Sequence, residues 1–470
     1  MGVGAILEPL TVIVLLFGGT WINRVTNTSF SPTYDRRQSF GYSRSDSPDS
    51  LESGYSSPKS RDGLFSARSC SPLPQISDDR WHKRQLKILG SSWTVSSPNT
   101  EVFKDRVLSR LLRKLPFLVE CWYWALVYWT YQLGRAFTAV TLQEDTVDVA
   151  RSHALRLIEV EERLGLFWEL RIQHFFLNHP LVMKWINWIY SFIHIPGTIA
   201  FLVWLYYYTI TRNRINEPQR GKPRGAMSGS PAGPLLYQAR RRTLAVCNLL
   251  AFVVFTLWPC MPPRLLSDPD VEGPEGELSR SYGFIDTVHG ANGAGSVWTE
   301  NRFCNQYGKS DLYPRLRSSA LADCLVFSAA MPSLHFGYSL MIGLTIMTIP
   351  LPSKHRRALR LRLGWSIGLR LPSWRRMVCL ALGFLYPFII LVAIVATANH
   401  FILDAIAGAL VCALGWWSNG VLLNLLPVED YFLWLVRIHK PEPSSISIID
   451  RLSEDWDSED PEIRQAVIPP

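Results

Sequence analysis

Six apolar segments, each near the length that a helix needs to cross a bilayer, dominate the hydrophobic pattern of the chain. They cover residues 116–138, 184–210, 243–260, 331–350, 377–398 and 401–426. A shorter apolar run, Pro9 to Trp21, follows Glu8 and has neither a basic leader nor a clear cleavage site. We therefore expect an all-α, polytopic membrane protein built on a six-helix transmembrane bundle. Residues 1–23 are expected to add an N-terminal membrane anchor rather than a cleaved signal peptide.

Three further segments lack this pattern. Residues 24–115, rich in Ser, Pro and Arg, have too few large apolar residues to build a core, so we expect them to be disordered and cytosolic. Residues 427–470 are expected to form an acidic cytosolic tail that is disordered from Pro441 to Pro470. Residues 146–177 carry apolar side chains at helical spacing, with charges between them, and this pattern predicts an amphipathic helix. That helix lies either along the lumenal membrane surface or against the bundle. The stripe consists of Ala150, Ala154, Leu157, Ile158, Glu161, Leu164 and Phe167.

The composition supports membrane insertion. Of 470 residues, 48% are hydrophobic and 19% are charged, against about 25% charged in a soluble domain. The net charge of +9 comes from basic residues beside apolar segments, which indicates membrane topology rather than nucleic-acid binding. Basic clusters in residues 212–242 and 354–376 predict cytosolic loops. The acidic connection 261–330 and the turn at Asn399 are then lumenal or extracellular.

Candidate chemistry lies where two of the predicted spans begin. His335 opens the fourth span, and His400 and Asp404 open the sixth. His400 and Asp404 are four residues apart, so the carboxylate can accept a hydrogen bond from one imidazole nitrogen and leave the other free to attack. The topology brings His335 to the same membrane face. Two histidines and a carboxylate suit phosphoryl transfer, with one imidazole as nucleophile and the other as general acid, and we expect neither a metal nor a cofactor.

Pro332-Ser333-Leu334-His335 and His400-x-x-x-Asp404 resemble the second and third signatures of the type-2 phosphatidic acid phosphatase superfamily, whose core is six membrane helices. The resemblance covers roughly residues 116–426. Within the superfamily it is strongest for the fungal inositol phosphorylceramide synthase-like branch, which residues 162–173, Tyr190 and His194 also resemble. It implies that His400 forms a phosphohistidine, Asp404 orients it, His335 protonates the leaving group and Ser333 holds phosphate.

The chain departs from the superfamily in its arginines. The third signature usually has Ser-Arg where this chain has Ala393 and Ile394, and the first signature is absent. Its nearest equivalent ends in Arg264, which either binds phosphate through its planar fork or snorkels at a helix end. The lipid phosphotransferase branch shares this loss of arginine, so the resemblance favours head-group transfer over hydrolysis. Asp286 and His289 either contact the head group or are ordinary loop residues.

Residues 308–329 interrupt the approach to the second signature. Gly308-Lys309-Ser310 can be encoded by a sequence containing GTAAG, and Phe327-Ser328-Ala329 by one containing TTTTCAG. We hypothesise that this segment is a retained intron whose removal keeps the reading frame. The alternative is a loop insertion, because loops accept extra length at small entropic cost.

The sequence thus predicts a lipid phosphotransferase or phosphatase that acts on phosphorylated (sphingo)lipids at the lumenal face of the Golgi or endoplasmic reticulum. One alternative is a lipid phosphate phosphatase that hydrolyses phosphatidic acid or related lipids. Membrane lipids are the expected partners, nucleic acid is not, and protein partners stay open. A transporter could use the same histidines as a proton relay, but they cluster at one rim and no inverted repeat is visible. An inactive scaffold would have no need to retain His335, His400 and Asp404.

Overall fold

A computed structural model describes residues 4–26, 80–88, 91–141, 146–215, 231–268, 271, 273–287, 331–352, 359–363 and 367–441. The described chain is mostly helical, with two antiparallel hairpins. Its elements are α1 (Gly4–Ile22), β1 (Trp81–Ile88), β2 (Ser91–Pro98), α2 (Val107–Lys114), α3 (Phe117–Thr141), α4 (Thr146–Leu164), α5 (Glu169–Leu177), α6 (Pro180–Trp188), α7 (His194–Tyr206), α8 (Arg212–Ile215), α9 (Pro234–Leu257), α10 (Pro274–Ser281), α11 (Leu334–Thr348), β3 (Leu359–Leu363), β4 (Ile367–Leu371), α12 (Trp374–Ala396), α13 (Ile402–Ser418) and α14 (Leu426–Leu435).

Two helical segments of the described chain are long and apolar enough to cross a membrane: Trp374–Ala396, with 23 residues, and Ile402–Leu435, with 34. Shorter apolar helices cover Leu10–Ile22 and Leu334–Thr348. All six predicted spans contain helix, but several do not qualify as spans by length and composition. The mostly helical fold is therefore confirmed, whereas the number of membrane crossings is not established.

Helix α11 lies at the centre of the helical core, against α7, α9, α12 and α13. Its approach to α13 is close because both helices carry glycine at the contact. A Cβ on Gly337 would lie 2.8 Å from the carbonyl oxygen of Gly408, and one on Gly408 would lie 2.2 Å from that of Ser333. Buried apolar side chains, including Leu205, Tyr237 and Met341, fill the space around this contact. Helix α11, which carries His335, and helix α13, which begins two residues after His400, are thus in backbone contact.

The stripe predicted on residues 146–177 faces protein. Ala150, Ala154 and Ile158 of α4 are at most 1% exposed and pack in one cluster with Leu266 and Phe401. Of the two alternatives, the structure therefore supports a helix packed on the bundle. Leu164 is the exception, because it lies at the end of α4 and is exposed.

Part of the N-terminal segment expected to be disordered is ordered, because its described residues 80–88 and 91–115 form a hairpin and helical turns. The β1–β2 hairpin packs against the C-terminal helix α14. Arg84 pairs with Asp430 at 3.0 Å, and the Ser97 hydroxyl donates to the same carboxylate at 2.6 Å. Local composition missed this hairpin because its partner lies more than 300 residues away along the chain. Residues 27–79 and 442–470, the 308–329 insertion and His289 lie outside the described residues.

Candidate active site

His400 lies in the tight turn that joins α12 to α13. The backbone N–H groups of Asn399 and His400 both donate to the carbonyl of Ile394, at 3.0 and 3.3 Å. Ala398 has a φ of 52°, a left-handed conformation that costs a residue with a Cβ about 1 kcal/mol. His400 is therefore held by the end of one helix and the start of the next, in a turn that stores some strain.

Asp404, one turn into α13, faces this histidine. Its Oδ2 lies 3.6 Å from His400 Nδ1 and accepts a hydrogen bond from the Phe401 N–H at 2.8 Å. The Asp404 side chain is fully buried, and its Oδ1 has no hydrogen-bond partner in the described part of the chain. The two side chains thus face each other as the four-residue spacing predicts, at a separation slightly longer than a hydrogen bond, and Nε2 of His400 lies on the far side of the ring from the carboxylate.

His335 enters the same space from the first turn of α11. The Ser333 N–H donates to the carbonyl of Asp404 at 3.0 Å, which ties the starts of α11 and α13 together. The ring centroids of His335 and His400 are 5.5 Å apart. Ser333 itself is fully buried, and its hydroxyl accepts from the Phe336 N–H at 3.4 Å. In this structure Ser333 caps the helix that carries His335.

Two side chains from the continuous helical stretch of α6 and α7 complete the aromatic surroundings of His335. Tyr190 stacks on His335 at a centroid distance of 5.0 Å, and His194 lies 4.6 Å away on the same ring. His194 is 7% exposed, and its Nδ1 has no hydrogen-bond partner among the described residues. Sequence analysis noted both residues only through resemblance; their contact with His335 is a structural finding.

Arg264, in the segment after α9, contacts the turn that carries His400. Its backbone N–H donates to Ala398 at 2.9 Å, its Nε to Asn399 Oδ1 at 2.8 Å, and its Nη1 lies 3.1 Å from Asp286 Oδ2. The residue is 9% exposed, so it does not snorkel toward solvent. Of the two alternatives, the inward-facing guanidinium fits the phosphate-binding one.

The Asp286 segment is held in place from α5, because Gln173 exchanges two hydrogen bonds with the backbone of Ile285. Asp286 therefore contacts the candidate site indirectly, through its ion pair with Arg264. At the positions where the superfamily carries Ser-Arg, Ala393 and Ile394 are buried in an apolar cluster. Neither residue offers a polar side chain to phosphate, and Arg264 is the arginine that the described structure brings to the turn.

Two carboxyl groups that sequence analysis gave no role cap the start of α13. Glu161 Oε1 accepts from the Leu403 N–H, and Glu169 Oε1 accepts from the Ile402 N–H, both at 2.8 Å. Both glutamates are fully buried. Burial, with the negative charge of Glu169 next, raises the pKa of Glu161 to about 9. The available signal was Glu161 itself, a charged residue on the apolar stripe of α4.

The first turns of α11 and α13 meet beside both histidines. A helix N-terminus carries a partial positive charge, which favours an anion such as phosphate nearby. At the start of α13 the N–H groups themselves already donate to carboxyl oxygens. The described geometry thus combines an imidazole with a carboxylate partner, a second imidazole and a guanidinium. Such groups have the chemistry that a nucleophile, an acid and an anion contact require.

Comparison with known proteins gives one match. The family model described as the PAP2 superfamily matches residues 155–216, 232–362 and 350–418, which together cover more than half of the chain. The matched segments contain Arg264, His335, His400 and Asp404. No curated protein and no solved structure shows significant similarity to the chain. The chain belongs to the PAP2 superfamily, a superfamily of phosphatases and phosphotransferases.

Proposed function

We propose that this chain is an integral membrane enzyme that transfers the phosphoryl group of a phosphorylated lipid through a phosphohistidine at His400. The observation that carries the proposal is the meeting of His335, His400 and Asp404 at the starts of two helices in backbone contact. Membership of the PAP2 superfamily supports phosphatase or phosphotransferase chemistry.

The reaction has two steps. In the first, Nε2 of His400 attacks phosphorus, the bond from phosphorus to the lipid oxygen breaks, and His335 gives its proton to the departing alkoxide. Asp404 holds His400 through Nδ1 and stabilises the positive charge that forms on the ring. In the second step an acceptor hydroxyl gives its proton to His335 and attacks phosphorus. The phosphorus–nitrogen bond then breaks, and both histidines return to their starting state.

Arg264 binds the phosphate in this scheme. The Arg264 guanidinium lies beside the turn that carries His400, and its ion pair with Asp286 keeps it pointed inward. A phosphate with its greater charge competes well for the same planar fork. Ser333 acts indirectly, because its hydroxyl caps α11 and so sets the direction of His335.

The membrane setting follows from the apolar helices and the charge pattern. The long apolar segments Trp374–Ala396 and Ile402–Leu435 meet at the site, which fits a substrate whose tails stay in the bilayer. We further propose a six-helix bundle with the site on the lumenal face of the Golgi or endoplasmic reticulum. The missing arginine at Ala393 and Ile394 supports transfer of a phospho-head-group to a lipid acceptor, as in the inositol phosphorylceramide synthase-like branch.

The test uses the purified full-length protein in detergent–lipid micelles. Labelled phosphatidic acid, and phosphatidylinositol with ceramide, are offered to the wild type, to His400→Ala and to His174→Ala, an exposed histidine outside the site. A new phospholipid that depends on His400 supports the transferase, and free phosphate that depends on His400 supports the phosphatase. An acid-labile phosphoenzyme should form in the wild type and in His174→Ala. Turnover that persists unchanged in His400→Ala would refute the proposal.

A further inference from the structure

Three buried carboxyl groups hold the first three backbone N–H groups at the start of α13. Asp404 accepts from Phe401, Glu169 from Ile402 and Glu161 from Leu403, each at 2.8 Å. Helix N-termini are commonly capped by one side chain. Here two of the three caps come from other helical elements, the end of α4 and the start of α5.

Glu161 and Glu169 lie next to each other, because their Oε1 atoms accept from the adjacent backbone N–H groups of Leu403 and Ile402. Their buried Oε2 atoms have no hydrogen-bond partner among the described residues. Two ionised carboxylates cannot bond to each other, because neither has a donor. A single proton shared by the pair would give both Oε2 atoms a partner and would leave one negative charge instead of two.

The groups that face the pair give it no compensating positive charge. Asp404 of α13 and Cys260, which follows α9, are the ionisable side chains that interact with Glu161 from the other packed elements. No Lys or Arg pairs with either glutamate in the described chain. Retaining the proton is thus the way this buried pair limits its charge.

We propose that Glu161 and Glu169 form a singly protonated carboxyl pair that positions His400 and Asp404 for phosphoryl transfer. The role rests on the proposed function. The pair bonds to Ile402 and Leu403, the backbone that lies between His400 and Asp404. If the proton leaves, two buried carboxylates repel each other, the caps separate, and the first turn of α13 shifts. Both glutamates are positioning residues, since they act through that turn.

Glutamine substitution tests the role of the shared proton while it keeps the oxygen that caps the backbone N–H group of α13. In Glu161→Gln or Glu169→Gln, the amide oxygen keeps the cap and the amide N–H₂ donates to the remaining carboxylate, which reproduces the singly protonated pair. In the double variant two N–H₂ groups face each other and neither finds an acceptor. Each single variant should therefore behave like the wild type, and the double variant should lose far more than the sum of the two.

The pH dependence has a definite direction. The folded-state pKa of Glu161, about 9 because of burial and Glu169, lies far above its value of about 4.5 in an unfolded chain. Stability from the protonated pair is complete below about pH 4.5 and is lost as the pH rises toward 9. The wild type should thus lose both thermal stability and kcat on approaching pH 9, with KM little changed, and Glu161→Gln should not.

The experiment measures thermal unfolding by tryptophan fluorescence, together with phosphoryl transfer, from pH 5 to 10 in detergent–lipid micelles. The proteins are the wild type, both single variants, the double variant and Glu162→Gln, an exposed neighbour that serves as control. We expect single variants within twofold of wild-type kcat at pH 7, about fourfold above it at pH 9.5 for a pKa of about 9, and a tenfold or greater loss in the double variant. Additive effects, or an alkaline loss that Glu161→Gln leaves unchanged, would overturn the proposal.

The unfolding curves keep this test separate from the proposed function. If the chain proves to have no phosphoryl-transfer activity, the non-additive stability of the glutamine variants still reports the shared proton, and the positioning role is refuted. If His400→Ala abolishes turnover while the glutamine variants act additively, the function stands and the carboxyl pair does not.

Discussion

The two ends of the helical core handle buried carboxyl groups in opposite ways. Helix α9 connects them and, with 24 residues, is about 36 Å long. At the end where α9 begins, Glu120 accepts two bonds from Arg241 at 2.8 and 2.9 Å and one from Tyr237 at 3.1 Å. Nearby, Lys440 lies 2.5 Å from Glu429. Each of these carboxylates has a cationic partner.

At the end where α9 finishes, Glu161, Glu169 and Asp404 have no Lys or Arg partner in the described chain. Their partners are backbone N–H groups, a histidine and each other. Removing one member of a buried ion pair is costly because it leaves an uncompensated charge. A buried carboxyl group without a cationic partner instead tends to take up a proton, and its protonation changes when a charged group binds next to it. The comparison supports the proposal that the first end stabilises the fold and the second carries the chemistry.

The largest expected effect comes from His400. His400→Asn removes the proposed nucleophile and should lower kcat by about 10³-fold or more, on the scale seen when a residue that acts as nucleophile is lost. The unfolding temperature should change little. Phosphoenzyme trapping and thermal unfolding on the same samples check both statements, with His174→Asn as control. A large loss of stability with retained phosphoenzyme would place His400 among the structural groups.

The opposite end should show the opposite pattern. Glu120→Ala leaves Arg241 buried without its carboxylate, which should cost about 3 kcal/mol of stability. Activity per folded molecule should stay at the wild-type level. Unfolding measured beside turnover at a permissive temperature checks this result. Replacing both partners by apolar residues, as in Glu120→Leu with Arg241→Met, should recover much of the loss. A fall in the turnover of folded Glu120→Ala protein would contradict the assignment of this end to stability alone.

The sequence predicted the helical fold and the residues at the centre of the candidate site, because both leave patterns between residues that are close together in the chain. The four-residue spacing of His400 and Asp404 predicts that their side chains lie on the same side of the helix start, and the resemblance to the family signatures added His335. The capping of α13 by Glu161 was out of reach, because 242 residues separate it from Leu403. The β1–β2 hairpin was missed for the same reason, since Asp430 is its partner. Contacts across long separations leave no local pattern.

Arg264 should give a smaller effect than the two changes above. Arg264→Lys keeps the charge but loses the planar fork that bonds Asn399 and Asp286 at once. A hydrogen bond to a charged group contributes about 1.5–3 kcal/mol, so catalytic efficiency should fall by about tenfold or somewhat more. Inhibition by inorganic phosphate should weaken in parallel. Unchanged phosphate inhibition would assign Arg264 to holding the turn rather than to binding the anion.

The smallest effect is expected for Arg84, on the same side of the comparison as Glu120. Its ion pair with Asp430 joins the β1–β2 hairpin to α14, but the two side chains are 22% and 11% exposed. Partly solvated pairs contribute at most about 1 kcal/mol, so Arg84→Ala should lower the unfolding temperature only slightly and leave turnover unchanged. Asp430 also accepts from Ser97, so Asp430→Ala should cost more than Arg84→Ala. If Arg84→Ala and Asp430→Ala lower stability equally, the hydrogen bond from Ser97 to Asp430 contributes nothing. If Arg84→Ala costs as much stability as Glu120→Ala, the strength of an ion pair at this end does not depend on how deeply it is buried.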